Sequence, residues 1–191
     1  MSWRRSPARD SDGSGAAVTQ PKKTVLVFGY GNPGRLDDGL GPALVAALEP
    51  LGFDGVDYDA DYQLVVEDAA QVASHDVAIF VDADTSGPEP FYLRRLEPDR
   101  VMGFSTHSVR PGAVLALGQE LFQARTTAYV MGIRGYEFNE YEERLSEAAQ
   151  ANLAAAVDYL KTALPARDFQ EYNIPAGELQ DTAAASDEEG A

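Results

Sequence analysis

The sequence predicts an α/β domain with a largely parallel sheet covered by helices on both faces. Two observations predict it. Short β-branched apolar runs alternate with helical patterns of 8–20 residues, the signature of strands joined by crossover helices. With 191 residues and 45% hydrophobic content, the chain can bury one sizeable core. TVLVFG (24–29) reads as a buried strand ending in glycine. Asp38 to Leu48 follows as a helix, with Leu40, Leu44, Ala47 and Leu48 on its stripe. GVDYDA (55–60) is a second strand, and Leu64 to Val72 a short helix. DVAIFVDA (76–83) is the clearest strand, and PFYLRRL (90–96) is strand-like. Arg110 to Phe122 is a helix after the turn at THS, and AYVMGIRG (128–135) is the last strand. Leu145 to Leu164 is a long helix with Leu145, Ala149, Leu153, Ala156, Val157 and Leu160 on one face.

The ends of the chain read differently. Residues 1–22 are polar, Gly/Ser-rich and without apolar period, so an N-terminal disordered tail is expected. Residues 167–191, ending in AAASDEEGA, are expected to form a disordered acidic tail, which leaves one domain over 23–166. The formal net charge is -16. Residues 1–23 carry five basic and two acidic side chains, and residues 167–191 one basic and seven acidic, so 24–166 alone carries -13. Such a core repels nucleic acid and anionic membrane. No apolar run approaches the roughly 18 residues of a membrane span, and the N-terminus has no apolar secretory region. A cytoplasmic protein acting as a monomer is expected. Cysteine is absent, which removes disulfides, thiolate metal sites and cysteine nucleophiles.

Function in parallel sheets sits at the carboxyl ends of the strands. The first strand runs into GYGNPGRLDDGLG (29–41). Gly29, Gly31 and Gly34 satisfy G-x-G-x-x-G, with Asp57 and Asp59 near the end of the next strand, as in dinucleotide-binding loops. Asp37 and Asp38 oppose that reading, because they put carboxylates where a diphosphate needs N–H donors. Helix capping explains one of these aspartates and leaves the second over. Asp82 ends the third strand at the same sheet edge as Asp38. Of the two histidines, His75 lies in a polar connection and reads as a surface residue. His107 lies in FSTHSVRPG, between a strand-like segment and a helix, as a capping group or a ligand. Asp38, Asp82 and His107 together form a nitrogen–oxygen set suited to nickel or zinc. Serine chemistry is the weaker reading: Ser105 and Ser108 flank His107, and no G-x-S-x-G elbow is present.

These residues resemble a known family. VLVFGYGNPGRLDDGLGPALV is similar to the N-terminal signature of hydrogenase maturation endopeptidases: strand, G-x-G-N, short loop, then D-[DE]-x-x-G. IFVDAD, STHSVRPGAVLAL and AYVMGIRGYEF resemble the family's later motifs in order and spacing, over about residues 24–164. The resemblance implies a single three-layer α/β/α domain with a mostly parallel twisted sheet. It implies an endopeptidase, metal-assisted or aspartic in type, that removes the C-terminal extension of a nickel–iron hydrogenase large-subunit precursor after nickel insertion. Carried over by position, the metal contacts fall on Asp38, Asp82 and His107, and they would recognise nickel supplied by the substrate. Asp38 is the candidate general base. No resident NAD is expected. Where many members carry a D-G-G-T or D-G-G-S type segment, this chain has YDADYQLVVEDA (58–69), so Asp59, Asp61, Tyr62 and Gln63 are candidate substrate contacts. Arg134, in RGYEF (134–138), either lines the same cleft or pairs with Glu137 on the surface. Two alternatives remain at this stage: a non-catalytic checkpoint chaperone for nickel or the large subunit, and a small dinucleotide-binding protein.

Overall fold

The chain is described by a computed structural model over residues 22–99 and 109–174. His107 and the expected N-terminal tail lie outside the described residues, apart from Lys22. The β-branched and aromatic runs become five strands: β1 (Val25–Tyr30), β2 (Val56–Asp61), β3 (Val77–Asp84), β4 (Phe91–Leu96) and β5 (Thr127–Arg134). The helices are α1 (Leu40–Leu48), α2 (Asp68–Ala73), α3 (Pro111–Phe122) and α4 (Glu147–Ala166). One sheet runs in the order β2-β1-β3-β5-β4, parallel except for the antiparallel edge strand β4.

Alternation along the strands splits the core in two. Val25, Val27, Val77, Ile79, Val81, Met131 and Ile133 face α1 and α4. Leu26, Phe28, Ala78, Phe80, Ala128 and Val130 face α2 and α3. These are the three layers of the expected α/β/α domain. The largest of these side chains, such as Phe28, Phe80, Met131 and Leu160, are fully buried. Each contributes about 1.5–3 kcal/mol relative to an exposed position.

Three boundaries differ from the sequence reading. The first helix starts at Leu40, because residues 36–39 form a 3₁₀ turn. The short helix starts at Asp68 rather than Leu64, because the Asp68 carboxylate accepts the Val65 N–H at 2.8 Å and holds a turn there. The chain also stays on the domain beyond residue 167. Arg167 closes α4 in a left-handed conformation, and its guanidinium donates to the carbonyls of Lys23, Asp54 and Leu164. Tyr172 then exchanges backbone hydrogen bonds with Leu93 at 2.8 and 2.9 Å and stacks on Phe91 with ring centroids 4.9 Å apart. Residues 168–174, expected to belong to the acidic tail, therefore bond to the free edge of β4. A bare strand edge left unpaired is a template for association. Among the described residues, no helix is long and apolar enough to cross a membrane.

Candidate active site at the switch point of the sheet

The connection through α1 leads outward from β1 to β2, and the connection through α2 returns to β3 on the other side of β1. The strand order therefore reverses between β1 and β3. The loops that leave these two strands diverge there and open a crevice. Asp38 lies on the first loop and Asp82 at the end of the second strand, so both expected carboxylates reach this point.

The glycines of the first loop serve chain packing. A side-chain carbon on Gly29 would meet the Gly41 carbonyl oxygen at 2.2 Å, and one on Gly41 would meet the Tyr30 and Val81 carbonyls at 2.4 and 2.5 Å. The start of α1 thus lies directly on the ends of β1 and β3. Gly31 has φ 132°, and a side-chain carbon there would fall 2.0 Å from the Asp38 carbonyl. The Asn32 N–H donates to the Asp38 carboxylate at 3.2 Å. That donor is one a bound phosphate would need, so the loop holds an aspartate of its own where a dinucleotide site holds its ligand.

The two adjacent aspartates have separate tasks. Asp37 is fully buried. Its carboxylate accepts the N–H groups of Tyr136, Glu137 and Ser146 at 2.8, 2.9 and 2.7 Å, and the Ser146 hydroxyl at 2.7 Å. Burial alone would raise its pKa, but these four bonds outweigh it and hold the group below the usual carboxylate range. Ser146 in turn caps α4, accepting the Ala149 N–H at 3.2 Å. Asp37 therefore ties the 3₁₀ turn to the β5–α4 connection and caps no helix itself; this corrects the capping expectation. Asp38 is left half-buried, and its charge acts on Asp82.

Asp82 is half-buried, and its pKa is pushed up to about 7. Burial is the main cause, and the charges of Asp38 and Asp84 add to it. The Ala83 N–H, at 2.8 Å, and the Tyr30 hydroxyl both bind the carboxylate and oppose the rise. Tyr30 is itself pushed far up by burial and by Asp82. Asp84 accepts the N–H groups of Ser86 and Gly87, each at 2.7 Å, and the Tyr92 hydroxyl. Despite burial, these bonds hold it below its ordinary value. In front of Tyr30, Asp82 and Asp84 lies an open cleft of about 660 Å³, which reaches Arg94 on β4 and Arg110 ahead of α3.

No family model matches the sequence, and no curated protein does. Solved structures do match. A NiFe hydrogenase maturation protease from Thermococcus kodakarensis KOD1 superposes with TM-score 0.60 at 22% identity, over 75% of this chain and 94% of that one. The hydrogenase 2 maturation peptidase from Thaumarchaeota archaeon SCGC_AB-539-E09 gives TM-score 0.55 at 27% identity, over 74% and 98%. The hydrogenase maturating endopeptidase of E. coli gives 0.56 at 22%, over 81% and 98%. The chain has the fold of the hydrogenase maturation proteases.

Within this maturation-protease fold the other expected residues divide. Asp59, Asp61, Tyr62 and Gln63 lie at the end of β2, across β1 from Asp82. The Asp61 carbonyl accepts the Gly31 N–H at 3.1 Å, so this segment borders the Asp38 loop. Asp61, Tyr62 and Gln63 are exposed, Tyr62 to 65%, Asp59 is half-buried, and none of the four lines the described cleft. Arg134 ends β5, donates to the Gly87 carbonyl at 3.3 Å and lies 5.4 Å from the Tyr136 ring centre. Glu137 pairs with Arg144 at 3.0 Å, so the alternative surface pair of Arg134 with Glu137 gives way to this one. His75 is not the surface residue expected: its side chain is only 8% exposed, held by Asp57 at 2.9 Å and the Gln71 carbonyl at 2.9 Å. Among the described residues, no three His, Asp or Glu side chains are grouped to hold a metal. Asp38 and Asp82 are the two described members of the expected set. Tyr30, Tyr92 and the structural task of Asp37 were missed in the sequence; each depends on strand register or on a partner distant in the chain.

Proposed function

We propose that this protein is an endopeptidase of hydrogenase maturation, and that it trims the C-terminal extension of a nickel–iron hydrogenase large-subunit precursor after nickel insertion. The observation that carries the proposal is that Asp38 and Asp82 act on each other at the switch point, with Asp82 lining an open cleft, in a fold shared with maturation proteases. Asp37, the neighbouring carboxylate, is consumed by four hydrogen bonds, which leaves Asp38 for chemistry. His107 completes the set by sequence resemblance.

In the proposed reaction the precursor brings the nickel. Asp38, Asp82 and His107 contact it and so read whether the large subunit is loaded. Hydrolysis adds water to the scissile carbonyl, breaks the C–N bond and delivers a proton to the departing amine. Asp38 takes the proton from the attacking water as general base, a role that requires it to lie within hydrogen-bond reach of that water. Asp82, poised near neutrality by burial, is suited to contact the metal through its carboxylate once the nickel charge stabilises the ionised form.

The test is a mass measurement on the full-length protein mixed with nickel-loaded and nickel-free precursor. Loss of a C-terminal peptide from the loaded precursor alone is the expected result. A stable nickel-dependent complex without cleavage would instead support a checkpoint chaperone, and equal cleavage without nickel would remove the recognition step.

A further inference from the structure

We infer that residues 168–174 form a wall of the substrate cleft. Tyr172 is a positioning residue that anchors this segment to β4, and Ile174 is a specificity-determining residue that meets an apolar side chain of the bound peptide. The inference deepens the proposed function and rests on it for the identity of that peptide as the C-terminal part of the precursor.

The segment is fastened on one face of the sheet and serves the other. On the α4 face, the Tyr172 ring stacks on Phe91 with centroids 4.9 Å apart and lies 5.9 Å from the Tyr159 ring. The Tyr159 hydroxyl donates to the Gln170 carbonyl at 3.0 Å. The backbone of Tyr172 bridges Leu93 in both directions. Its two neighbours reach the β4 backbone with their side chains: the Glu171 carboxylate accepts the Arg95 N–H at 3.0 Å, and the Asn173 amide donates to the Glu89 and Phe91 carbonyls at 2.9 and 3.1 Å. The cleft opens on the opposite face, which carries Tyr92, Leu96 and Val130. Strand alternation sets Glu171 on that face, away from the Tyr172 ring, and Glu171 lines the cleft. Continued alternation would return residue 174 to the α4 face. Asn173 has φ 53°, a left-handed conformation that asparagine adopts more readily than most residues, and the chain turns there. Ile174 is half-buried and lines the same cleft as Asp82. A loose tail would lose conformational entropy on meeting a peptide; a segment fastened in this way has lost it already and binds at lower cost.

A segment that only covered the edge of β4 would need Tyr172 and would leave Ile174 without a task. Steady-state cleavage of nickel-loaded precursor by the full chain separates the two accounts. Wild type, Ile174→Ala, Tyr172→Ala and Tyr172→Phe would be compared, with the thermal unfolding of each measured alongside. Ile174→Ala should raise KM about 3–10-fold at unchanged kcat and unchanged melting temperature, the pattern of a contact made equally in the ground and transition states. Tyr172→Ala should raise KM by at least as much, and Tyr172→Phe, which keeps the ring, should restore it. A wild-type KM for Ile174→Ala, or for a folded Tyr172→Ala protein, overturns the inference while the proposed function stands. If wild type leaves the precursor uncut, the proposed function fails and the inference falls with it.

Discussion

Asp37 and Asp38 are neighbours in sequence and face two different parts of the molecule. Asp37 turns into the interior and gathers donors from a connection 99 to 109 residues away. Asp38 turns toward the sheet edge, where it takes one N–H from its own loop and acts on Asp82. A fully buried carboxylate that accepts four hydrogen bonds is out of a substrate's reach. A half-buried carboxylate beside a second one raises the energy of the pair, and a cation or a proton relieves it. The fold therefore spends one aspartate on holding the loop in place and leaves the other half-buried at the sheet edge, where its charge acts on Asp82.

The strongest break in this comparison is Asp37→Ala. It strands three N–H groups and a hydroxyl in the interior, so a loss of about 3–5 kcal/mol is expected, read as a fall in urea midpoint. A variant as stable as wild type would mean that water or another group satisfies those donors. Gly41→Ala comes next. Its new carbon would strike two strand carbonyls, which cannot move without the sheet, so about 2–3 kcal/mol is expected from the same measurement.

Acidity sharpens the contrast, because the signs oppose. Asp82 has a raised pKa of about 7, against an ordinary value of 3.8. Its contribution to stability is fully present below about pH 4 and is lost as pH rises through 7. Asp37 is depressed, so its contribution is present above 3.8 and is lost as pH falls through its folded value. Relative to Asp82→Asn, the wild type should therefore lose about 1–3 kcal/mol between pH 5 and pH 8. Parallel stability curves for the two proteins would show that Asp82 ionises without cost. The smallest effect is Ser146→Ala, expected at about 1 kcal/mol from the lost cap of α4 and one lost bond to Asp37.

Much of this was legible in the sequence, for physical reasons. The β-branched runs named the strands, and the rule that parallel strands share one functional edge brought Asp38 and Asp82 together before any coordinates. What stayed hidden depends on pairing. Tyr30 reads as one more aromatic at a strand end until register sets it beside Asp82. Asp37 reads as a cap because its partners lie so far along the chain. Residues 168–174 are polar enough to read as tail, yet their backbone finds partners on β4. The segment at the end of β2 reads as a substrate loop, and strand pairing sets it beside the Asp38 loop; neither it nor Asp38 lines the described cleft.

The division of labour between the two aspartates is tested most directly by single-turnover cleavage of nickel-loaded precursor by Asp38→Ala, with its thermal unfolding measured alongside. The account predicts a melting temperature close to wild type and a cleavage rate at least about 100-fold lower, the scale of a lost general base. Wild-type cleavage by a folded Asp38→Ala protein would contradict it.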